Sequence, residues 1–349
     1  MKIDIYAFSA NGARLCDKII EGLKEYNIEA YVPSKYASYG RHVKNRQDSL
    51  YISTEKSFAN KDCIIFIGAV GIAVRAVAPF VRSKRTDPAV LCIDEKGINV
   101  ISLLSGHIGG ANQMTLRVAD IIGGNPIITT ATDINGKFAV DQWATYQKLY
   151  IMSLKAAGNI ASAILDDEKI GLDSDFEIID ELPEEIDLKQ KRIGICISLN
   201  DKKRHFDITL NLVPKIISVG VGCRKGTDFC VIHKAVTEVL EEYNISPHAI
   251  SSINSIALKK NEEGIIKTAK MLKVPFNTFT GDELNNIGGE FSDSDFVKSI
   301  TGVDSVCERA ASASSSSKKL VIRKTIKNSV TVAACAEDFR ISFDYPNSR

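Results

Sequence analysis

The segment Ser105-Gly106-His107-Ile108-Gly109-Gly110-Ala111-Asn112 holds the residue types and spacing best suited to chemistry in this chain. An alternating apolar run precedes it and a helix-periodic run follows, so it is a strand-to-helix turn. His107 exchanges protons near neutral pH. The glycines let backbone N–H groups come close to a ligand, and a helix start favours an anion. The competing reading is a glycine-rich turn whose histidine bonds a backbone carbonyl and whose Asn112 caps a helix. Thr129-Thr130-Ala131-Thr132-Asp133 ends another strand. Thr130 and Asp133 can line the same crevice, with Asp133 orienting His107 or acting as a base; otherwise Asp133 serves a turn before Gly136. Ligands of open α/β sheets bind outside the carboxyl ends of strands, where such turns cluster.

Gly68-Ala69-Val70-Gly71-Ile72-Ala73-Val74-Arg75 is a second strand-to-helix turn. Gly68 and Gly71 could cradle an anion and Arg75 could fork onto it. The spacing is GxxG, short of a dinucleotide fingerprint, and on these residues alone tight packing of helix on strand is the preferred reading. Gly220-Val221-Gly222-Cys223-Arg224-Lys225-Gly226-Thr227 repeats the pattern further on. Gly222, Arg224 and Lys225 suit an anion. Cys223 is a nucleophile only if its pKa is lowered there; a small residue in a tight turn is the preferred reading. Glu308, in Val306-Cys307-Glu308-Arg309, is a further acid/base candidate or an ion-pair partner for Arg224 or Lys225. Basic residues gather between Lys35 and Arg46 (Lys35, Arg41, His42, Lys44, Arg46), with Tyr31, Tyr36 and Tyr39 nearby, and again at Arg82, Lys84 and Arg85. They suit carboxylates or a flat ligand, although a solvated loop explains each residue singly. No nucleophile elbow, Walker loop or metal-ligand spacing occurs.

These turns must be held by regular elements. The first third alternates strand and helix patterns: strands over 2–8, 28–32, 63–67, 89–93, 99–103 and 127–130, and helices over 13–26, 71–80 and 110–122. Such alternation argues for an α/β domain with a largely parallel sheet. Residues 140–157 and 160–166 read as helical, and short strands follow near 193–197 and 206–210 in an acid-rich stretch. A second alternation begins near Ile216, with strands over 216–221, 252–257, 320–323 and 330–334 and helices over 228–243 and 263–272. The organisation expected is two αβα-type domains, 1–139 and 216–349, joined by a smaller middle segment, 140–215, that is partly connector. The serine-rich run through Ser312–Ser317 reads as a mobile surface loop.

The chain has 349 residues, a formal net charge of +1, 44% hydrophobic and 25% charged residues. No global field selects nucleic acid, a membrane or an acidic partner. The apolar stretch from Cys63 to Val81 is interrupted by Arg75 and Pro79, so it reads as a buried strand turning into a helix rather than a membrane span. No signal peptide follows Met1, and eight scattered cysteines without CxxC pairs suit reduced core thiols. The expectation is a cytoplasmic protein without a metal site.

Gly68 to Ala144 carries a nearly continuous signature: GAVGIAVRAVAP, DPAVLCIDEKGINVISLLSGHIGGAN, PIITTATD and AVDQWA. A second runs through GVGCRKGT, SIALKKNEEGI, TGVDSVCERAA and VTVAACA. In both, the chain resembles the cobalt-precorrin 5A hydrolase (CbiG) family over nearly its whole length. Ala257 stands where an acid is common in that family and Ser312 where an aliphatic residue is usual. The resemblance implies an enzyme of anaerobic cobalamin biosynthesis. Its substrate would be a cobalt-bound, ring-contracted tetrapyrrole with rim carboxylates and an internal lactone. Water opens the lactone, and the bridge carbon leaves with its methyl group as acetaldehyde, giving cobalt-precorrin 5B. No cofactor is then required, because cobalt comes with the substrate. In that chemistry His107 would transfer protons, Asp133 would orient it, and Glu308 would be a second acid/base. Gly109 and Gly110 would stabilise the oxyanion, and Arg75, Arg224 and Lys225 would hold rim carboxylates. Transient contact with neighbouring pathway methyltransferases is compatible with this role; the oligomeric state is not read from sequence. Readings of other classes are a non-catalytic tetrapyrrole carrier, a Cys223-dependent acyl-transfer enzyme and a nucleotide-binding regulator.

Overall fold

A computed structural model describes residues 1–293, 299 and 301–345. They fall into two compact units, one ending at Gln142 and the other beginning at Trp143.

The first unit runs β1 (Lys2–Ala7), α1 (Ala10–Gly22), β2 (Asn27–Val32), β3 (Val43–Asn45), α2 (Leu50–Asn60), β4 (Cys63–Ile67), α3 (Val70–Val77), β5 (Ala89–Ile93), β6 (Asn99–Leu104), α4 (Ala111–Ile122), β7 (Asn125–Ile127) and α5 (Ala131–Ile134). The seven strands form one sheet in the order β3-β2-β1-β4-β5-β6-β7. Every residue of β4 and β5 is buried, as expected of central strands covered on both faces. Ala13, Cys16 and Ile19 of α1 and Met114 and Val118 of α4 pack with one face of the sheet. Ala73, Ala76 and Val77 of α3, with Phe58 of α2, pack with the other. Ser9 caps α1 by accepting a hydrogen bond from the Gly12 N–H at 3.1 Å.

One feature of this sheet decides where the site lies. β1 to β5 run parallel, but β6 returns antiparallel to β5, with Val90 opposite Leu104 and Ile93 opposite Val100. The cause is the short turn at Asp94–Gly97, too short for the crossover a parallel pair needs. Asp94 accepts hydrogen bonds from the Lys96, Ile98 and Asn99 N–H groups, and Gly97 takes the left-handed φ of 71°. β7 runs parallel to β6.

In the second unit β8 (Leu149–Ile151), α7 (Leu154–Leu165), β9 (Gly171–Ser174), β10 (Ile193–Ile197) and β11 (Ile208–Pro214) come first. Their strands form a four-stranded sheet ordered β8-β11-β10-β9. The middle segment, expected to be partly connector with short strands, holds this sheet. The helix expected over 140–157 is interrupted: α6 (Val140–Tyr146) ends, Lys148 turns left-handed at φ 56°, and β8 pairs with β11 before Ser153 caps α7. Tertiary pairing of Leu149–Ile151 overrides a helical periodicity there.

β12 (Ile217–Gly222), α8 (Phe229–Glu242), β13 (Ile250–Ile256), α9 (Glu263–Leu272), β14 (Phe276–Phe279), α10 (Gly281–Asn285), α11 (Val306–Ala313), β15 (Lys319–Lys327) and β16 (Val330–Ala336) complete the unit. The five strands are ordered β14-β13-β12-β16-β15. β14, β13 and β12 are parallel, and β16 is antiparallel to β12 and β15. Both lobes are thus α/β with largely parallel sheets, as the strand–helix alternation predicts. The serine-rich run is not a mobile loop at its start: Ser312 lies in α11, fully buried, 3.2 Å from Cys335 Sγ. Small residues are required because α11 lies directly on β12. A Cβ at Gly220 would stand 1.8 Å from the Cys307 carbonyl oxygen.

Candidate active site

His107 follows β6, and because β6 is reversed its turn lies at the end of the sheet where β5 starts. Ser105 Oγ donates to the Asp87 carbonyl at 3.1 Å, just before β5. The Gly68 turn lies at the opposite end, its N–H bonded to the Ile93 carbonyl at 2.8 Å. Five residues of strand separate the two ends, roughly 15 Å. The single crevice expected from strand carboxyl ends is therefore divided in two. Gly68, Gly71 and Arg75 do not reach His107; the Arg75 guanidinium donates to the Gly71 carbonyl of its own helix at 3.1 Å.

The Thr130–Asp133 segment follows β7, which is parallel to β6, so it does meet His107. His107 Nε2 lies 2.7 Å from Asp133 Oδ2, and Nδ1 lies 2.9 Å from Asp141 Oδ1. All three side chains are nearly buried, with 10%, 15% and 13% exposure. Asn112 joins the group rather than capping α4. Its Nδ2 donates to Thr130 Oγ1 and Asp133 Oδ2, both at 3.1 Å, and its Oδ1 accepts from Ser102 Oγ at 2.6 Å. Lys84 Nζ stands 3.6 Å from Asp141 Oδ2. Asp133 Oδ1 takes no hydrogen bond among the described residues.

The turn itself is held open by small residues. A Cβ at Gly109 would lie 2.4 Å from Ser105 Cβ, and one at Gly106 would lie 2.7 Å from Asn112 Oδ1. Ser105 and Gly110 are left-handed, at φ 59° and 81°. The Gly110 N–H bonds the His107 carbonyl at 3.0 Å, which removes it as an oxyanion donor; the Gly109 N–H has no such partner among the described residues.

Burial disfavours a charged imidazole, but the hydrogen bonds and charges of Asp133 and Asp141 outweigh it and lift the His107 pKa to about 9. For Asp141, burial is likewise outweighed, by His107 and Lys84, and its carboxyl is held below the usual range. At neutral pH the centre is a carboxylate–imidazolium–carboxylate array. His107 in this arrangement is an acid and a source of positive charge, not a resting base. Asp141 was missed by reading residues individually; its only sequence signal is its place in the AVDQWA motif. Replacing Asp141 with Asn removes one of the two opposing charges. The His107 titration followed by proton NMR is then expected to move from about 9 toward the ordinary histidine value near 6.5; an unmoved midpoint would show that Asp141 does not act on the ring.

In the second unit Glu308 is not an exposed acid. It is fully buried and accepts from the Ser292 N–H and Oγ, Ser305 Oγ and the Lys324 N–H at 2.6–3.0 Å. Burial opposes its charge, but these donors hold the carboxyl below its usual range. It pairs with neither Arg224 nor Lys225, both of which are exposed. The turn after β12 is fastened instead by Glu262, which accepts from the Gly226 N–H at 2.7 Å and from Lys259 Nζ at 3.0 Å. Burial pushes the Cys223 thiol up, so Cys223 is not a poised thiolate. Gly222 belongs to the end of β12, where a Cβ would meet Thr331 Oγ1 at 2.4 Å. Among the described residues no helix is long and apolar enough to cross a membrane.

Residues 53–133 match the family model for the cobalamin synthesis G N-terminal region, and residues 217–335 match that for the cobalamin synthesis G C-terminus. The chain is 38% identical over 272 residues to the cobalt-precorrin-5A hydrolase of Salmonella typhimurium, covering 74% of this chain and 78% of that protein. The chain belongs to the cobalamin synthesis G family. A second family relative, the cobalt-precorrin-5A hydrolase of Priestia megaterium, is 29% identical over 327 residues, 87% of each chain. A solved cobalamin biosynthesis protein G homolog from Sulfolobus solfataricus is 28% identical, with 95% of this chain and 96% of that one covered at a TM-score of 0.42. Within the family's N-terminal region lie Lys84, His107, Asn112 and Asp133, whereas Asp141 falls just beyond the matched residues.

Proposed function

We propose that the chain is a cobalt-precorrin-5A hydrolase that opens the substrate lactone, releases acetaldehyde and leaves cobalt-precorrin 5B. The observation that carries a catalytic reading is the His107 imidazolium clamped at 2.7 and 2.9 Å between Asp133 and Asp141 on a glycine-rich turn. The names of the curated relatives support this reaction. Cobalt enters as part of the substrate.

Lactone opening needs a base for water and donors for the developing oxyanion. Asp133 Oδ1 takes the water proton, and the Gly109 N–H faces the oxyanion. When the acyl–oxygen bond breaks, the leaving alkoxide takes a proton from the array, which His107 holds in store. Both ring nitrogens are engaged, so one carboxylate relays the proton while His107 keeps the array charged. The freed hydroxyl then returns its proton to the carboxylate. Its carbon becomes the carbonyl of acetaldehyde, the carbon–carbon bond breaks with its electron pair passing to the macrocycle, and the macrocycle regains a proton there.

The test is anaerobic incubation of the purified chain with cobalt-precorrin 5A while acetaldehyde is trapped. One acetaldehyde per substrate consumed is expected. Tight binding with no release over many hours would replace the hydrolase with a carrier.

A further inference from the structure

The basic turn Arg82-Ser83-Lys84-Arg85 is a built element rather than a solvated tail of α3. Asp87, almost fully buried, accepts from the Arg82 and Ser83 N–H groups through Oδ2 at 2.8 and 3.0 Å. Its own N–H and that of Thr86 bond back to the Ser83 carbonyl at 2.9 and 3.0 Å. The Asp87 carbonyl in turn receives Ser105 Oγ from the His107 turn. One buried aspartate thus shapes the basic turn and joins it to the proton-transfer turn.

The side chains of this element point to an anionic ligand. Lys84 is half-exposed and touches Asp141 at 3.6 Å, too long for a firm hydrogen bond. Arg82 is exposed, and its guanidinium has no carboxylate partner among the described residues. Arg75, the cation expected from sequence to serve this lobe, lies at the other end of the sheet. Lys84 of the 82–85 turn is in contact with the His107 array through Asp141.

We infer that Arg82 and Lys84 hold a carboxylate of the ligand beside His107, making this turn the first unit's recognition element for a polycarboxylic macrocycle. The identity of the macrocycle rests on the hydrolase reading; recognition of its charge does not. Arg82 supplies a planar fork and Lys84 a point charge. Lys84 also places the bound carboxylate one residue away from the array, since it contacts Asp141 and Asp141 contacts His107.

Calorimetric titration of the full chain with a cobalt corrinoid polycarboxylic acid, and with its fully esterified form, tests this directly. The acid is expected to bind the wild type more tightly than the ester. Arg82→Ala and Lys84→Ala should each weaken the acid by roughly tenfold, the magnitude of a charge-assisted hydrogen bond, and leave the ester unchanged. Lys84→Arg should restore part of the loss. The slope of affinity against salt should flatten in the double variant. Equal affinity of acid and ester for the wild type, or an unchanged affinity in the double variant with unaltered thermal unfolding, would overturn the inference. Acetaldehyde release by the wild type is scored separately. Charge-dependent binding without release defeats the hydrolase reading and keeps this one; release without dependence on Arg82 and Lys84 does the reverse.

Discussion

His107→Ala is expected to slow acetaldehyde release by roughly two to four orders of magnitude, the usual worth of positioned acid–base groups, while the corrinoid still binds. The wild-type rate should fall as pH rises through about 9, where the imidazolium loses its proton. The sign follows from the direction of the shift. Asp133 and Asp141 favour the protonated ring in the folded chain, so the charged array is intact at neutral pH and is lost as pH rises through about 9. The same linkage gives folding stability that is fully present below the unfolded value of about 6.5 and is lost as pH rises through about 9. In Asp141→Asn the falling limb should move to lower pH. A His107→Ala variant with more than a tenth of wild-type activity would remove the array from the mechanism. So would a pH profile that still falls near 9 when His107 is absent.

Glu308→Ala should instead be a stability defect. The substitution leaves two backbone N–H groups and two hydroxyls facing a buried hole. Each buried N–H left without a partner costs about 1–3 kcal/mol, which for the two together is roughly a 10 °C fall in Tm for a unit of this size. If Glu308 were an acid/base catalyst, Glu308→Gln would abolish activity while the Tm stayed near wild type. A large Tm loss in Glu308→Ala, with residual activity at low temperature, is the outcome that fits the burial. An unchanged Tm would return Glu308 to the list of chemical groups.

Local pattern carried much of this structure. The strands Cys63–Ile67, Ala89–Ile93 and Ile193–Ile197 and the helix Glu263–Leu272 have the expected bounds, because each is a buried apolar run or has a single amphipathic period closed by turn residues. Where pairing competes with period, the pattern failed. Leu149–Ile151 became a strand because β11 offers it an edge. The strand expected over Ile127–Thr130 ended at Ile127, freeing Thr130 to precede α5 and meet Asn112.

Residue pattern alone shows an α/β protein with a histidine in a glycine-rich strand-to-helix turn and a threonine–aspartate segment able to meet it. Residue chemistry and backbone freedom at Gly109 and Gly110 suffice for that. Which turns share an end of the sheet depends on how the strands pair in the folded chain. The reversal of β6 is one strand direction, invisible to periodicity, yet it separates Arg75 from His107 and brings Lys84 near. It also took the folded chain to bring Asp141 onto the second ring nitrogen and to bury Glu308 among donors. Both depend on contacts between segments whose composition does not reveal their partners, and those contacts set whether a carboxylate does chemistry or holds the fold.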